Sequence, residues 1–204
     1  MKKNVVFLLL ILAAFAVYWF MFRKTGNNGP DTKQQPIALK KHSDTFNASI
    51  DKVVNAYLAI KDAFVTADTA TVKMNTGLLI SLLDSIPVSE LSTDTTSVAE
   101  AAKASIADIR SNAVSLMAQT DITEMRQDFR MMTEMMYPGF FNTINYEGQT
   151  LYMQYCPMAF GEDKGAGWIS NSDEIINPYL GKNHPEYKGS MLHCGEIKDS
   201  IRRK

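Results

Sequence analysis

Cysteine is almost missing from this 204-residue chain: Cys156 and Cys194 are the only two, 38 positions apart. No Cys-x-x-Cys exists, so the paired-thiolate ligand set of that motif is unavailable. Gly-x-Ser-x-Gly and His-Glu-x-x-His are also absent, which removes the serine-hydrolase elbow and the zinc-protease helix. Gly161-Glu162-Asp163-Lys164-Gly165 lacks the Lys-Ser/Thr ending of a phosphate-binding loop. Its two acids are adjacent and would diverge rather than act as a carboxylate pair. There is no repeat of fixed period and no low-complexity tract. Basic charge is short over most of the chain. Residues 44–204 hold 14 Lys and Arg against 21 Asp and Glu, a net −7. Nucleic acid is therefore not an expected partner, because binding phosphates needs clustered cations.

The remaining residues, 1–43, carry 7 basic and 1 acidic side chain. Within them Val5 to Phe22 has no charge at all. As a helix this run is about 27 Å long, close to the roughly 30 Å of bilayer hydrocarbon. Tyr18, Trp19 and Phe20 would sit near one interface. The run ends in aromatics with no clean small-x-small cleavage site, so the expectation is a retained signal anchor over 1–25 rather than a cleaved signal peptide. Gly26, Asn27, Asn28, Gly29 and Pro30, followed by Gln34, Gln35 and Pro36, read as a linker over 26–43.

Residues 44–145 then show helical periodicity. Asp44 is placed to cap a first helix with Ile50, Val53, Tyr57, Ile60 and Phe64 on one face. Asp68 is placed to cap a second, with Val72, Leu79, Leu82 and Ile86 as its stripe and Pro87 as its stop. After a polar break at 92–96, a third carries Val98, Ala102, Ile106, Ile109, Ala113 and Leu116. Asp121 and Glu124 form a capping pair for a fourth, with Ile122, Met125, Phe129, Met132 and Met136 inward and Pro138-Gly139 at its end. Met131, Met132, Met135 and Met136 read as core filling. The expected fold is mainly α: an antiparallel bundle of about four helices. Residues 146–204 read as a loop-rich appendage with one or two short strands, attached to the bundle by Trp168 and Tyr179. His42 falls in the linker, and His184 in a polar loop.

The appendage also holds both cysteines, each beside a methionine: Cys156-Pro157-Met158 and Met191-Leu192-His193-Cys194. Thiolate and thioether are soft donors that select copper(I), and thiolate with imidazole suits zinc. In an extended chain Cys156 and Met158 share a face. Met191, His193 and Cys194 converge only with a turn or bulge at Gly195. A disulfide stands beside this metal reading. It would close about 39 residues, for roughly 4 kcal/mol in the chain-entropy account. A third reading, Cys156 as nucleophile with His193 as base, lacks an orienting third group.

Several runs resemble a bacterial family known as the domain of unknown function 3347. They are Gln154-Tyr155-Cys156-Pro157-Met158-Ala159, Trp168-Ile169-Ser170, Ile176-Asn177-Pro178-Tyr179 and Met191-Leu192-His193-Cys194-Gly195, together with Tyr57 to Ala63 and Ala67-Asp68. The resemblance spans roughly residues 50–200. It implies an exported chain handling heavy metal beside efflux adaptors or pumps, with its body in the periplasm and its first helix in the inner membrane. The resemblance implies metal handling only by association; the donors read from the residues above, Cys156, Met158, Met191, His193 and Cys194, are expected to hold copper(I), or zinc as second choice, and no substrate chemistry is expected. A disulfide-stapled interaction module of an envelope complex is the alternative.

Overall fold

Helix starts in this chain are fixed by side-chain caps. The computed structural model describes residues 37–201. In it α1 is Asp44–Val65, α2 Thr69–Asp84, α3 Thr96–Ala118 and α4 Ile122–Met135. Ser43, Asp68, Thr95 and Asp121 each accept a hydrogen bond from an N–H of the first turn, satisfying donors that the helix itself cannot. The cap of α1 is thus Ser43 and not Asp44, which lies one residue inside, where its charge favours the positive helix end. The anchor expected over 1–25 and the first part of the linker lie outside the described residues. Among those described, no helix is long and apolar enough to cross a membrane.

The apolar stripes of α1 and α3 are buried as their periodicity predicts, as are Met125, Phe129 and Met132 of α4. In α2, Val72 and Leu79 are buried, but the next core position is Leu83, 2 % exposed, while Leu82 is only half-buried. Pro87 leads into a 3-10 turn, Val88–Thr93, that buries Leu91. Where the sequence reads as the end of a linker, Ala38 and His42 pack on the bundle and the chain between them is held by its backbone. The Ala38 N–H donates to the Thr143 carbonyl, and those of Leu39 and Lys40 donate to Asp94. His42 is likewise part of the fold, its ring 4.4 Å from that of Phe46 and its Nε2 bonded to the Ile144 carbonyl.

Helices α1 and α4 run antiparallel. Tyr57 meets Phe129 and Thr133, and one helical segment further along α1, Phe64 meets Phe129 and Arg126. The end of α4 unwinds at Pro138-Gly139 through a wide turn, Met136–Phe140, into a single turn α5, Phe141–Thr143.

The appendage contains three strands, not the one or two expected: β1 Leu151–Cys156, β2 Ala166–Ser170 and β3 Glu196–Ile201. They form an antiparallel sheet in the order β2-β1-β3. Every residue of β2 is buried, and its outer edge turns toward the helices. There the Ile169 N–H donates to the Tyr57 hydroxyl at 3.1 Å, and the Tyr179 hydroxyl donates to the Gly167 carbonyl at 2.7 Å. Thr133 Oγ1 donates to the Phe129 carbonyl at 3.0 Å. The 2.6 Å contact between Tyr57 and Thr133 is therefore donated by the phenol. Burial raises the pKa of both tyrosines, so both stay protonated donors.

Two outcomes follow for stability. Leu83→Asp buries an unpaired carboxylate and should cost several kcal/mol, whereas Leu82→Asp should cost clearly less. Equal melting midpoints for the two variants would contradict the assignment of Leu83 to the core. Tyr57→Phe keeps the ring but strips the Ile169 N–H of its acceptor, with an expected loss of about 2 kcal/mol in urea denaturation. A variant as stable as the parent would show that the strand edge is satisfied some other way.

Candidate functional site

Strand register brings the two cysteines together. Tyr155 pairs with Glu196 across β1 and β3, so Cys156, at the end of β1, lies beside the chain entering β3. The two sulfurs are 2.7 Å apart, both as free thiols, with Cys156 buried and Cys194 partly exposed. A disulfide bond is about 2.05 Å long. Burial, aided by the hydrogen bond and charge of Cys156, pushes the Cys194 thiol up to about 12.

Two features hold Cys194 in place. Gly195 has φ +144°, and a Cβ there would lie 2.9 Å from Trp168 and 3.0 Å from the Tyr155 carbonyl. Only glycine lets the chain pass this close to β1. Asn177, fully buried, is the second. Its Nδ2 donates to the Cys194 carbonyl at 2.8 Å, and its Oδ1 accepts from the N–H groups of Tyr179 and Leu180. Its own N–H donates to the Leu192 carbonyl. One side chain thus ties the cysteine loop to the segment that carries Tyr179. From the sequence, Asn177-Pro178 reads as a turn, and the bond to Tyr179 is that turn. The reach to Cys194 had no local signal.

The other expected donors are placed less closely. Strand β1 stops at Cys156, and Met158 sits in the following turn, its carbonyl accepting from Gly161. The two-residue alternation therefore does not carry through to Met158. Met191 opens a turn closed by the Cys194 N–H on the Met191 carbonyl at 3.0 Å. Both methionines are half-buried and pack on the core. His193 is exposed, and its Nδ1 bonds to the Ile175 carbonyl at 2.8 Å. A carbonyl only accepts, so Nδ1 carries the proton and Nε2 is left as the acceptor. His193 makes no hydrogen bond to either thiol among the described residues. Nor do any three His, Cys, Asp or Glu side chains among them converge as a metal-binding group. What the structure brings together is a dithiol. Such a pair can close to a disulfide with little movement, or spread by about 1 Å or more to hold a soft cation between the sulfurs.

Asn177→Ala would leave the Cys194 carbonyl and two backbone N–H groups without that partner. The expected cost is about 3 kcal/mol in thermal or urea unfolding. The cysteines of the surviving folded protein should also react faster with a thiol reagent. Unchanged stability and reactivity would remove Asn177 from the site.

Residues 53–145 match the model of a family described as a protein of unknown function, DUF3347. The matched stretch covers most of the helical bundle and ends before β1, so Cys156 and Cys194 lie outside it. No curated protein and no solved structure matches this chain. Over residues 53–145 the chain is thus similar to the DUF3347 family.

Proposed function

We propose that the Cys156–Cys194 pair is a soft-metal site, and that this protein is an accessory chain that sequesters copper(I) or delivers it to an efflux system. The observation that carries the reading is that the fold brings the only two cysteines side by side, one of them reachable from solvent, although the sulfurs, 2.7 Å apart, would have to spread by about 1 Å or more to take an ion between them. Both have a methionine within three residues. Copper(I) accepts a thiolate pair, and thioethers are suitable additional donors. Cys156 and Cys194 would hold the ion. Met158 and Met191 are the nearby soft donors, and His193 would have to turn its free Nε2 inward to join. Zinc fits less well, because a closed zinc site takes four ligands and no third His, Cys, Asp or Glu joins the cysteines among the described residues.

The setting proposed for this activity is the cell envelope. The uncharged stretch 5–22 would anchor the chain in the inner membrane, with the acidic body in the periplasm beside a heavy-metal efflux adaptor or pump. The same sulfur contact favours a second reading, in which the pair closes as a disulfide and staples an interaction module with no metal role.

Titration of the reduced full chain with copper(I) against a competing chelator separates the two. One ion per chain is expected, with most of the affinity lost in Cys156→Ser and in Cys194→Ser. Met158→Leu should weaken copper(I) binding and spare zinc. Because the Cys194 thiol is raised to about 12, it is protonated at neutral pH and must release its proton to the metal. Affinity should therefore strengthen as pH rises from 6 to 8. If the reduced chain binds neither ion and both cysteines are oxidised when isolated from the envelope, the stapled module stands instead.

A further inference from the structure

A second cavity has neither cysteine in its lining. It has a volume of about 290 Å³ and opens where the first turn of α4 faces the loops around residues 159–164 and 179–187, and Arg126, Phe160, Lys164, Tyr179, His184 and Tyr187 line much of it. Arg126 is 5 % exposed. Its Nε donates to the Pro178 carbonyl and its Nη2 to the Phe64 carbonyl, at 3.1 and 3.2 Å, and the guanidinium lies 6.0 Å from the centre of the Phe64 ring. Among the described residues no ion pair ties it to a carboxylate. Asp121, the cap of α4, acts on it only at longer range. Buried charges are ordinarily paired, and carbonyl dipoles replace a counter-ion only in part.

The groups around Arg126 point the same way. His184 Nδ1 accepts from the N–H groups of Glu186 and Tyr187, both at 3.3 Å. The ring proton therefore sits on Nε2, which is a donor. Burial and the charge of Arg126 hold this imidazole below its ordinary pKa, so it stays neutral and keeps that arrangement. Lys164 is exposed at the cavity wall, and Glu186, also exposed, is the one acid that lines it. The remaining walls are aromatic. Phe160 and Tyr179 lie 5.2 Å apart, and Tyr187 stacks on His184 at 4.9 Å. Arg126 and Lys164 against Glu186 leave a single positive charge. A monoanion balances it and a phosphate dianion overshoots it. With Nε and Nη2 turned to the two carbonyls, the remaining N–H groups of the guanidinium can meet a carboxylate oxygen.

We infer that this cavity binds a small organic carboxylate, its charge received by Arg126, His184 and Lys164 and its apolar body by Phe160, Tyr179 and Tyr187. Neither cysteine lines it, so this site stands whatever the cysteines bind. The test is calorimetric titration of the full chain at low salt with sodium benzoate and, separately, with inorganic phosphate. Benzoate should bind one per chain. Arg126→Gln should weaken it at least tenfold and Lys164→Gln several-fold, while Lys103→Gln on α3, outside the cavity, should change nothing. Should Arg126→Gln fail to melt cooperatively, the exposed Lys164 decides. Absence of saturable benzoate binding at millimolar concentration overturns the inference, as does binding indifferent to Lys164→Gln. Tighter binding of phosphate than of benzoate would overturn the assignment to a carboxylate.

Discussion

The joint between sheet and bundle depends on how one strand edge is satisfied inside a buried interface. Strand β2 lies at the edge of its sheet and yet is wholly buried. An edge strand normally leaves its outward N–H and C=O groups to water. Here water is excluded, and two phenols take its place. Tyr57 comes from α1, and Tyr179 from the loop between β2 and β3. The hydroxyl of Tyr57 accepts from the sheet and donates to Thr133 on α4, which passes its own proton to the Phe129 carbonyl. A run of hydrogen bonds thus crosses from β2 to α1 to α4. It is worth more than area burial alone, because each member would be costly to leave unpaired.

The cysteine pair inherits its geometry from that seal. β2 positions β1 through the register Cys156↔Ala166, and β1 positions β3 through Tyr155↔Glu196. Asn177 then ties the Cys194 loop to the segment bearing Tyr179, whose hydroxyl closes the edge of β2. The same residue therefore serves both the site and the joint between sheet and bundle. The Arg126 cavity draws on this region as well, since Arg126 is held by the Pro178 carbonyl and Tyr179 forms part of its wall.

How far the sequence reveals this depends on the range of each interaction. The four helices are legible because their apolar spacing and their caps are local, and a cap error of one residue at Ser43 reflects two adjacent candidates of similar chemistry. Leu82 and Leu83 both suit a helical step from Leu79, one of three and one of four, and only the neighbouring helices decide between them. Strand β3 has no pattern of its own: Glu196, Lys198 and Asp199 are exposed, and Ile197 and Ile201 are the only apolar residues in it. It is a strand because the edge of β1 accepts it. The convergence of Cys156 and Cys194 is visible as a requirement of either sulfur chemistry. The outward turn of His193 is not visible, because it is set by a carbonyl at Ile175, 18 positions away. The clamp at Asn177 and the role of Tyr57 as an acceptor are hidden for the same reason.

The contact between Tyr57 and Ile169 spans 112 positions of the chain, so closing it costs more chain entropy than any contact between successive helices. Successive helices are joined by short connections and pay little loop-closure entropy, so they dock early. Strand β2 can lose its water only once α1 and α4 already stand side by side to receive its edge. A chain caught before that step presents an organised bundle, an open strand edge and two separated thiols at once. In such a state its cysteines and its strand edge would be open to other molecules.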